Sequence, residues 1–380
     1  MTAAPLWIRT GSDLERLARR LRESSEIAVD TEGDSLHHYP ERLALIQIGD
    51  RTGEAWLVDP LAIADLSALA PLFAGPSPLV VLHAGDNDLA HLKRRFRFVF
   101  GAIFDTSLAA RFLGGRALGL DVLLREYLGV ELPPSRQKDD WSLRPLTEAQ
   151  ERYAVADVQH LLALKDRLVQ ELERLGRRAW VEEECAALAA ESPAERRPDP
   201  EAYAWLKGAR DLTPRGLAIL KNLHETRERL ALAADRPPFK ILSDATLVAI
   251  AQAAPGDVAA LGGLPGCTPR VIARWGEAIL DATARARALP DDALPVLTRP
   301  PRPPSVPGGV RRRIEALRGW RAEAAPRFGL DPGVLLPNRL IRPIAEAAPR
   351  DRAELARVDG LRRWRVEVLG DQILAAVARA

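Results

Sequence analysis

Short apolar runs ending in polar residues recur through the first half of the chain. The sharpest is Ile27-Ala28-Val29, which leads directly into Asp30-Thr31-Glu32. An uninterrupted apolar run of this length reads as a buried strand. On that basis strands are predicted at 27–32, 43–48, 55–58, 79–82 and 99–104. Between them the spacing turns helical. Leu14, Leu17 and Leu21 fall at i, i+3 and i+7 and predict a helix over 12–22. Further helices are predicted at 66–73, 86–96, 106–113 and 120–128, with one long helix over 147–175. Thr147 and Gln150 have capping-box spacing at its start. Asp50-Arg-Thr-Gly53 has hairpin-turn chemistry, and residues 131–146 are polar and irregular. Strands in a hairpin, then strands alternating with helices, imply an α/β domain with a mixed sheet.

The pattern changes after residue 190. Glu191–Pro200 is proline-rich and poor in apolar residues, and reads as a linker. Beyond it the spacing is helical throughout, interrupted by a second proline-rich stretch at 290–307. The two helical segments repeat each other at a constant offset of 94 residues, without gaps. Leu242 meets Leu336, Ala253-Ala254-Pro255 meets Ala347-Ala348-Pro349, Gly266 meets Gly360, and Ile279-Leu280 meets Ile373-Leu374. So long a period means tandem domains rather than a solenoid. The expected organisation is an α/β domain at 1–190, a linker at 191–200, an all-α bundle at 201–289, a linker at 290–307 and a second bundle at 308–380.

Composition changes this picture little. A chain of 380 residues is too long for one core, and two or three domains are expected. Cys185 and Cys267 are far apart, with no spacing that suggests zinc or a disulfide framework. The N-terminus lacks a signal-peptide pattern, and no stretch has the apolar length of a membrane span. The expectation is a cytoplasmic protein with no membrane partner; oligomeric state is not legible. Charge says more. Residues 1–200 carry 25 Lys+Arg against 32 Asp+Glu, whereas residues 201–380 carry 29 against 20. A basic half joined to an acidic half points to a polyanionic partner, although an arginine-rich composition with solvated faces gives the same tally.

Candidate chemistry centres on carboxylates. Asp30 and Glu32 lie at i and i+2 on a strand and so project to one side. Paired anions repel, and hard oxygen donors in pairs suit Mg²⁺ or Mn²⁺. Asp88 falls in the first turn of the helix after the 79–82 strand, where complementing the helix dipole would also explain it. Tyr153 and Asp157 are i and i+4 on one helix and share a face; each alone reads as a core aromatic and a solvated charge. His83 reads as a structural strand-end residue, and His37 and His38 as candidates for approaching phosphate. Arg136, Lys138 and Arg144 sit in the irregular segment, which suits either a substrate-contacting loop or a solvated one. Trp205, Trp275, Trp320 and Trp364 could stack on unpaired bases or fill helical cores.

The ordered set Asp30-x-Glu32, Asp88 and Tyr153-x-x-x-Asp157 resembles the DEDD superfamily of 3′→5′ exonucleases, in its tyrosine-bearing branch. Leu45-Ile46-Gln47-Ile48, Leu82-His-Ala-Gly85, Phe104-Asp-Thr106, Asp140-Trp141 and Arg144-Pro-Leu-Thr147 narrow the resemblance to the ribonuclease D family. The helical repeats are similar to its HRDC modules. One departure stands out: Asp139-Asp140-Trp141 occupies the place where that family commonly has Ser-Asp-Trp. The resemblance implies a ribonuclease H-like mixed sheet flanked by helices, then two all-α bundles. It implies hydrolysis of RNA from the 3′ end with release of nucleoside 5′-monophosphates, and a tRNA precursor or other structured RNA with a 3′ extension as substrate. It also implies two divalent ions, Mg²⁺ or Mn²⁺, held by Asp30, Glu32, Asp88 and Asp157, with Tyr153 orienting the attacking water. A DNA 3′→5′ exonuclease and a catalytically silent nucleic-acid-binding protein are the competing expectations.

Overall fold

The computed structural model describes residues 5–193, 199–296 and 306–380, so much of both expected linkers lies outside the described residues. The N-terminal part is built from β1 (Leu6–Ile8), α1 (Gly11–Leu21), β2 (Glu26–Gly33), β3 (Leu43–Gly49), β4 (Ala55–Val58), α2 (Ala70–Ala74), β5 (Leu79–Leu82), α3 (Asp86–Phe96) and β6 (Ile103–Asp105). Helices α4 (Thr106–Phe112), α5 (Leu120–Leu128), α6 (Glu148–Gln159), α7 (Leu161–Arg174) and α8 (Arg178–Ala190) follow. The strands form one mixed sheet in the order β1-β4-β3-β2-β5-β6. β3 and β4 are antiparallel, whereas β2–β5, β5–β6 and β1–β4 are parallel. Parallel pairs need helical crossovers, which is why helices flank this sheet.

Three details differ from the sequence reading. β1 went unrecognised: it is three residues long and Leu6 is exposed, so no buried run announces it. The strand expected at 99–104 is cut to Ile103–Asp105. Phe98 and Phe100 instead turn inward against Phe73, with ring centroids 5.4 and 5.1 Å away, and fill a gap beside the sheet from an irregular backbone. The long helix breaks at His160, whose ψ of −1 ends α6 and starts α7. The two halves have different partners: α6 packs on β3 and β4, and α7 on α4, α5 and β5. Gly49 lets α6 come close, because a Cβ there would lie 3.1 Å from the Val158 carbonyl.

The helical part repeats in structure as it does in sequence. Helices α9 (Pro214–Ala234), α10 (Pro238–Ile241), α11 (Asp244–Ala253), α12 (Val258–Gly262) and α13 (Pro269–Arg287) form the first module. Helices α14 (Gly308–Phe328), α15 (Pro332–Leu335), α16 (Asn338–Ala347), α17 (Arg352–Ala356) and α18 (Arg363–Ala378) form the second. Even a buried polar device recurs. Arg227 donates to the Leu242 carbonyl (3.2 Å) and the Asp244 carboxylate (2.6 Å). Arg321, its counterpart, donates to the Leu336 carbonyl (2.7 Å) and the Asn338 side chain (2.8 Å). Each arginine thus ties the long first helix to the start of the third.

The chain divides into two compact units. One contains the sheet, its helices and the second module. In it the Trp180 and Trp364 rings stack 4.5 Å apart, and Glu183 of α8 accepts the first backbone N–H groups of α18 (2.6 and 3.0 Å). The other unit consists of Gly33–Arg42 and the first module. There His38 Nδ1 lies 2.7 Å from the Asp235 carboxylate, and the Tyr39 hydroxyl donates to Glu228 (2.5 Å).

Candidate active site: a cage of carboxylates

β2 carries Asp30 and Glu32 out of the sheet on one side. α6 brings Asp157 to them: oxygens of Asp30, Glu32 and Asp157 lie within 4.8 Å of one another. The helix is set by the Thr147–Gln150 capping box, present in full. Asp88 stands on the first turn of α3 and lines the same cavity, of about 990 Å³. Its turn is fixed from behind. Asp105 caps α4 through the Leu108 N–H (2.8 Å) and accepts the Gly85 N–H (2.8 Å). Gly85 must be glycine, because a Cβ would come within 2.8 Å of Leu82 Cβ. Thr31 donates to Asp88, joining the two acidic elements. Tyr153 lines the cavity one turn before Asp157, with Trp141 beneath it at 6.1 Å between ring centroids.

The electrostatics are those of buried anions crowded together. Burial, and then repulsion from Asp88, Asp157 and Glu32, holds the Asp30 carboxyl well above the usual range. Burial and the same neighbours push Glu32 up to about 9. Asp139, the residue at the departure from the family pattern, adds to that repulsion. Asp157 is raised to about 7, chiefly by burial and against the hydrogen bond from Tyr153. Burial also raises Asp88, with the bond from Thr31 and the charge of His91 pulling the other way. Burial and the three nearest carboxylates push the Tyr153 phenol far above its ordinary value. The side-chain partners of the acids include hydroxyls, Thr31 for Asp88 and Tyr153 for Asp157. Hard oxygen donors at this spacing fit divalent cations of the Mg²⁺ or Mn²⁺ kind.

A carboxyl whose folded pKa lies above its unfolded value of about 4 stabilises the fold at low pH. That contribution is lost as pH rises through the folded pKa. The metal-free protein is therefore expected to lose thermal stability as pH rises from roughly 5 toward the Glu32 value of about 9. Mn²⁺ is expected to raise the melting temperature more at pH 8.5 than at pH 6, because the ligands must shed protons to bind it. Differential scanning fluorimetry across pH, with EDTA or Mn²⁺, checks both. A metal-induced shift that is the same at both pH values contradicts the arrangement.

The structure thus gathers Asp30, Glu32, Asp88, Tyr153 and Asp157 around one cavity. Most other sequence candidates are engaged elsewhere. Arg144 is consumed structurally: it donates to both Asp59 oxygens (2.7 and 2.8 Å) and to the Ala44 and Trp141 carbonyls (both 2.7 Å), pinning the 131–146 segment to the sheet. Arg136 lies 3.5 Å from Asp139. His38 pairs with Asp235, and His83 lines the cavity edge with Nδ1 2.9 Å from the Thr106 hydroxyl. Trp275 and Trp364 are buried, Trp320 is half-buried and donates to Gln372 (3.2 Å), and Trp205 alone of the four is exposed, at 64%. Sequence reading missed Thr31 and Ser135, which hydrogen-bond Asp88 and Tyr153. Thr31 sits inside the motif, but strand alternation puts it on the opposite face from Asp30 and Glu32, and its bond to Asp88 is non-local, so nothing flagged it.

A mixed sheet that presents four acids and a tyrosine in one cavity defines a nuclease of the carboxylate-cage class. The comparisons agree. Residues 5–173 match the family model described as 3′-5′ exonuclease, and residues 216–283 and 310–377 each match the HRDC domain. The ribonuclease D of Pseudomonas paraeruginosa is 34% identical over 380 residues, covering 98% of each chain. The crystal structure of Escherichia coli RNase D, described as an exoribonuclease involved in structured RNA processing, superposes with a TM-score of 0.68 at 28% identity over 99% of each chain. A protein of Bifidobacterium adolescentis shares the fold, with a TM-score of 0.82 at 22% identity, over 99% of this chain and 97% of its own. The chain belongs to the ribonuclease D family, and is a 3′→5′ exoribonuclease acting on RNA.

Proposed function

We propose that Asp30, Glu32, Asp88 and Asp157 hold two divalent cations, Mg²⁺ or Mn²⁺, and that the enzyme trims 3′ extensions of structured RNA such as tRNA precursors, releasing nucleoside 5′-monophosphates. The observation that carries this reading is the approach of Asp30, Glu32 and Asp157 to within 4.8 Å of one another. Two such ions, when bound, would stabilise charge on the attacking and leaving oxygens of the phosphodiester. Asp30, on which Asp88, Asp157 and Glu32 all act, would be the carboxylate placed to help hold both. Tyr153 has its phenol pushed too high to serve as a base at neutral pH. It stays protonated, and its hydroxyl, held by Asp157 and Ser135, orients the attacking water.

The domain boundaries we adopt are 1–190 for the exonuclease domain, 201–289 and 308–380 for the helical modules, with linkers at 191–200 and 290–307. Among the described residues no helix is long and apolar enough to cross a membrane, and both cysteines are free and buried. Both features suit a cytoplasmic enzyme. Digestion of a 3′-extended tRNA with Mg²⁺, Mn²⁺ or chelator, beside a matched DNA strand, tests the reading. Mononucleoside 5′-monophosphates released from RNA only when metal is present are expected. Internal cleavage, 3′-monophosphate products or indifference to chelator would overturn it.

A further inference from the structure

The catalytic cavity does not end at the four acids. Ala84, Ser107 and Arg111 line it and also line a second groove, of about 920 Å³, so the two form one continuous cleft. The near wall of the groove comes from α4 and α8, and the far wall from the second helical module through Arg339, Asp359, Gly360 and Arg362. Both walls belong to the same compact unit.

The groove carries charges of both signs, with Asp86, Glu191 and Asp359 among its acids, and some of them are already committed. Asp105 is spent on the Gly85 and Leu108 N–H groups. Glu184 binds Arg362 and Arg365. Arg111 and Arg339 differ. Both are exposed, and neither side chain has an ion pair or hydrogen bond to another described residue, although the Arg111 charge reaches Asp86. They come from opposite walls, α4 and α16. In the catalytic cavity itself the only other arginine is Arg125, which lies 3.7 Å from Asp121. The arginines along the cleft whose side chains make no hydrogen bond or ion pair are therefore one at the junction of its two halves and one beyond it.

We propose that Arg111 and Arg339 are positioning residues for substrate: the single strand upstream of the 3′-terminal nucleotide leaves the catalytic cavity past Arg111 and runs along the groove, with its phosphates held first by Arg111 and then by Arg339. This rests on the exonuclease reading above and assigns it a strand path. Arginine suits the task because its planar fork matches phosphate oxygens and its charge is permanent. The mixed sign of the groove confines phosphate contact to these two points, so the strand is held at intervals rather than along a uniformly basic track. The second module then serves as one wall of the substrate path.

Two RNA lengths test this: a dinucleotide, confined to the catalytic cavity and its junction, and a 5′-fluorescein-labelled twelve-nucleotide single strand. Arg111→Ala is expected to raise KM about tenfold on both, with kcat within about twofold of wild type. Arg339→Ala is expected to raise KM by a similar factor on the longer strand alone. Fluorescence anisotropy in EDTA, which reads binding without turnover, is expected to show weaker affinity for the twelve-mer in each variant. The log–log salt dependence should fall by about 0.7 per arginine removed. Unchanged affinity and salt slope in both variants, or an Arg339→Ala effect equal on both lengths, would overturn the path. Both side chains are exposed, so melting temperatures should match wild type and separate a binding loss from misfolding. Failure of the wild-type enzyme to degrade either RNA with Mn²⁺ would instead count against the exonuclease reading, and the anisotropy result would still judge the strand path.

Discussion

Asp30→Ala is expected to lower the rate of RNA degradation by about a thousandfold or more while leaving the fold intact. Removing a shared ligand forfeits several kcal/mol of stabilisation of the developing charge, and each 1.36 kcal/mol or so is a factor of ten in rate. The same change removes one member of a mutually repelling set, since Asp88, Asp157 and Glu32 all act to raise Asp30. The metal-free variant is therefore expected to melt at or above the wild-type temperature. Single-turnover degradation of a labelled RNA, together with a melting curve, checks both halves. Activity within tenfold of wild type would remove Asp30 from the role assigned to it.

Glu184→Ala is expected to destabilise the protein by about 3–5 kcal/mol, lowering its melting temperature by roughly 6–10 °C. The Arg365 side chain is only 2% exposed and has Glu184 as its carboxylate partner. Without that partner a buried charge is stranded. Glu184 also accepts from Arg362 (3.2 Å) and from the Trp364 indole (3.3 Å), so one substitution loosens several ties between α8 and α18. Burial acts to raise the Glu184 carboxyl, but Arg365 and Arg362 hold it below its ordinary value. Its contribution to stability should accordingly fade as pH drops through that lowered pKa. Glu184→Gln keeps one acceptor oxygen, enough for the Arg365 and Trp364 donors that share Oε1, and should cost less than the alanine. A melting temperature within about 2 °C of wild type for Glu184→Ala would show that the second module is not held to α8 through this pair.

These two residues mark how far the sequence could be read. Asp30 was legible because strand geometry relates it to Glu32 at i+2, helix geometry relates Tyr153 to Asp157 at i+4, and the flanking words match a known family. Those relations are local, and the fold had only to bring together a few preformed pieces. Glu184 was opaque because its meaning is wholly non-local: it sits in a run of three glutamates that looks like a solvated helix face, and its partners lie some 180 residues away. Arg111 was hidden by abundance, one of many arginines and without a motif around it. Arg144 shows the reverse error. Its place in a polar loop suited either substrate contact or a solvated surface, yet five hydrogen bonds make it a structural pin. The 33–42 segment follows the same rule, since nothing in its local pattern shows that His38 and Tyr39 pair with Asp235 and Glu228.

The central claim concerns what the cage holds. Crystals soaked in Mn²⁺ and measured at a wavelength where manganese scatters anomalously would locate it directly. The account predicts two manganese peaks inside the space bounded by Asp30, Glu32, Asp88 and Asp157, both lost in Asp30→Ala. Peaks that avoid those four carboxylates, in protein that degrades RNA in the same Mn²⁺ buffer, would contradict it.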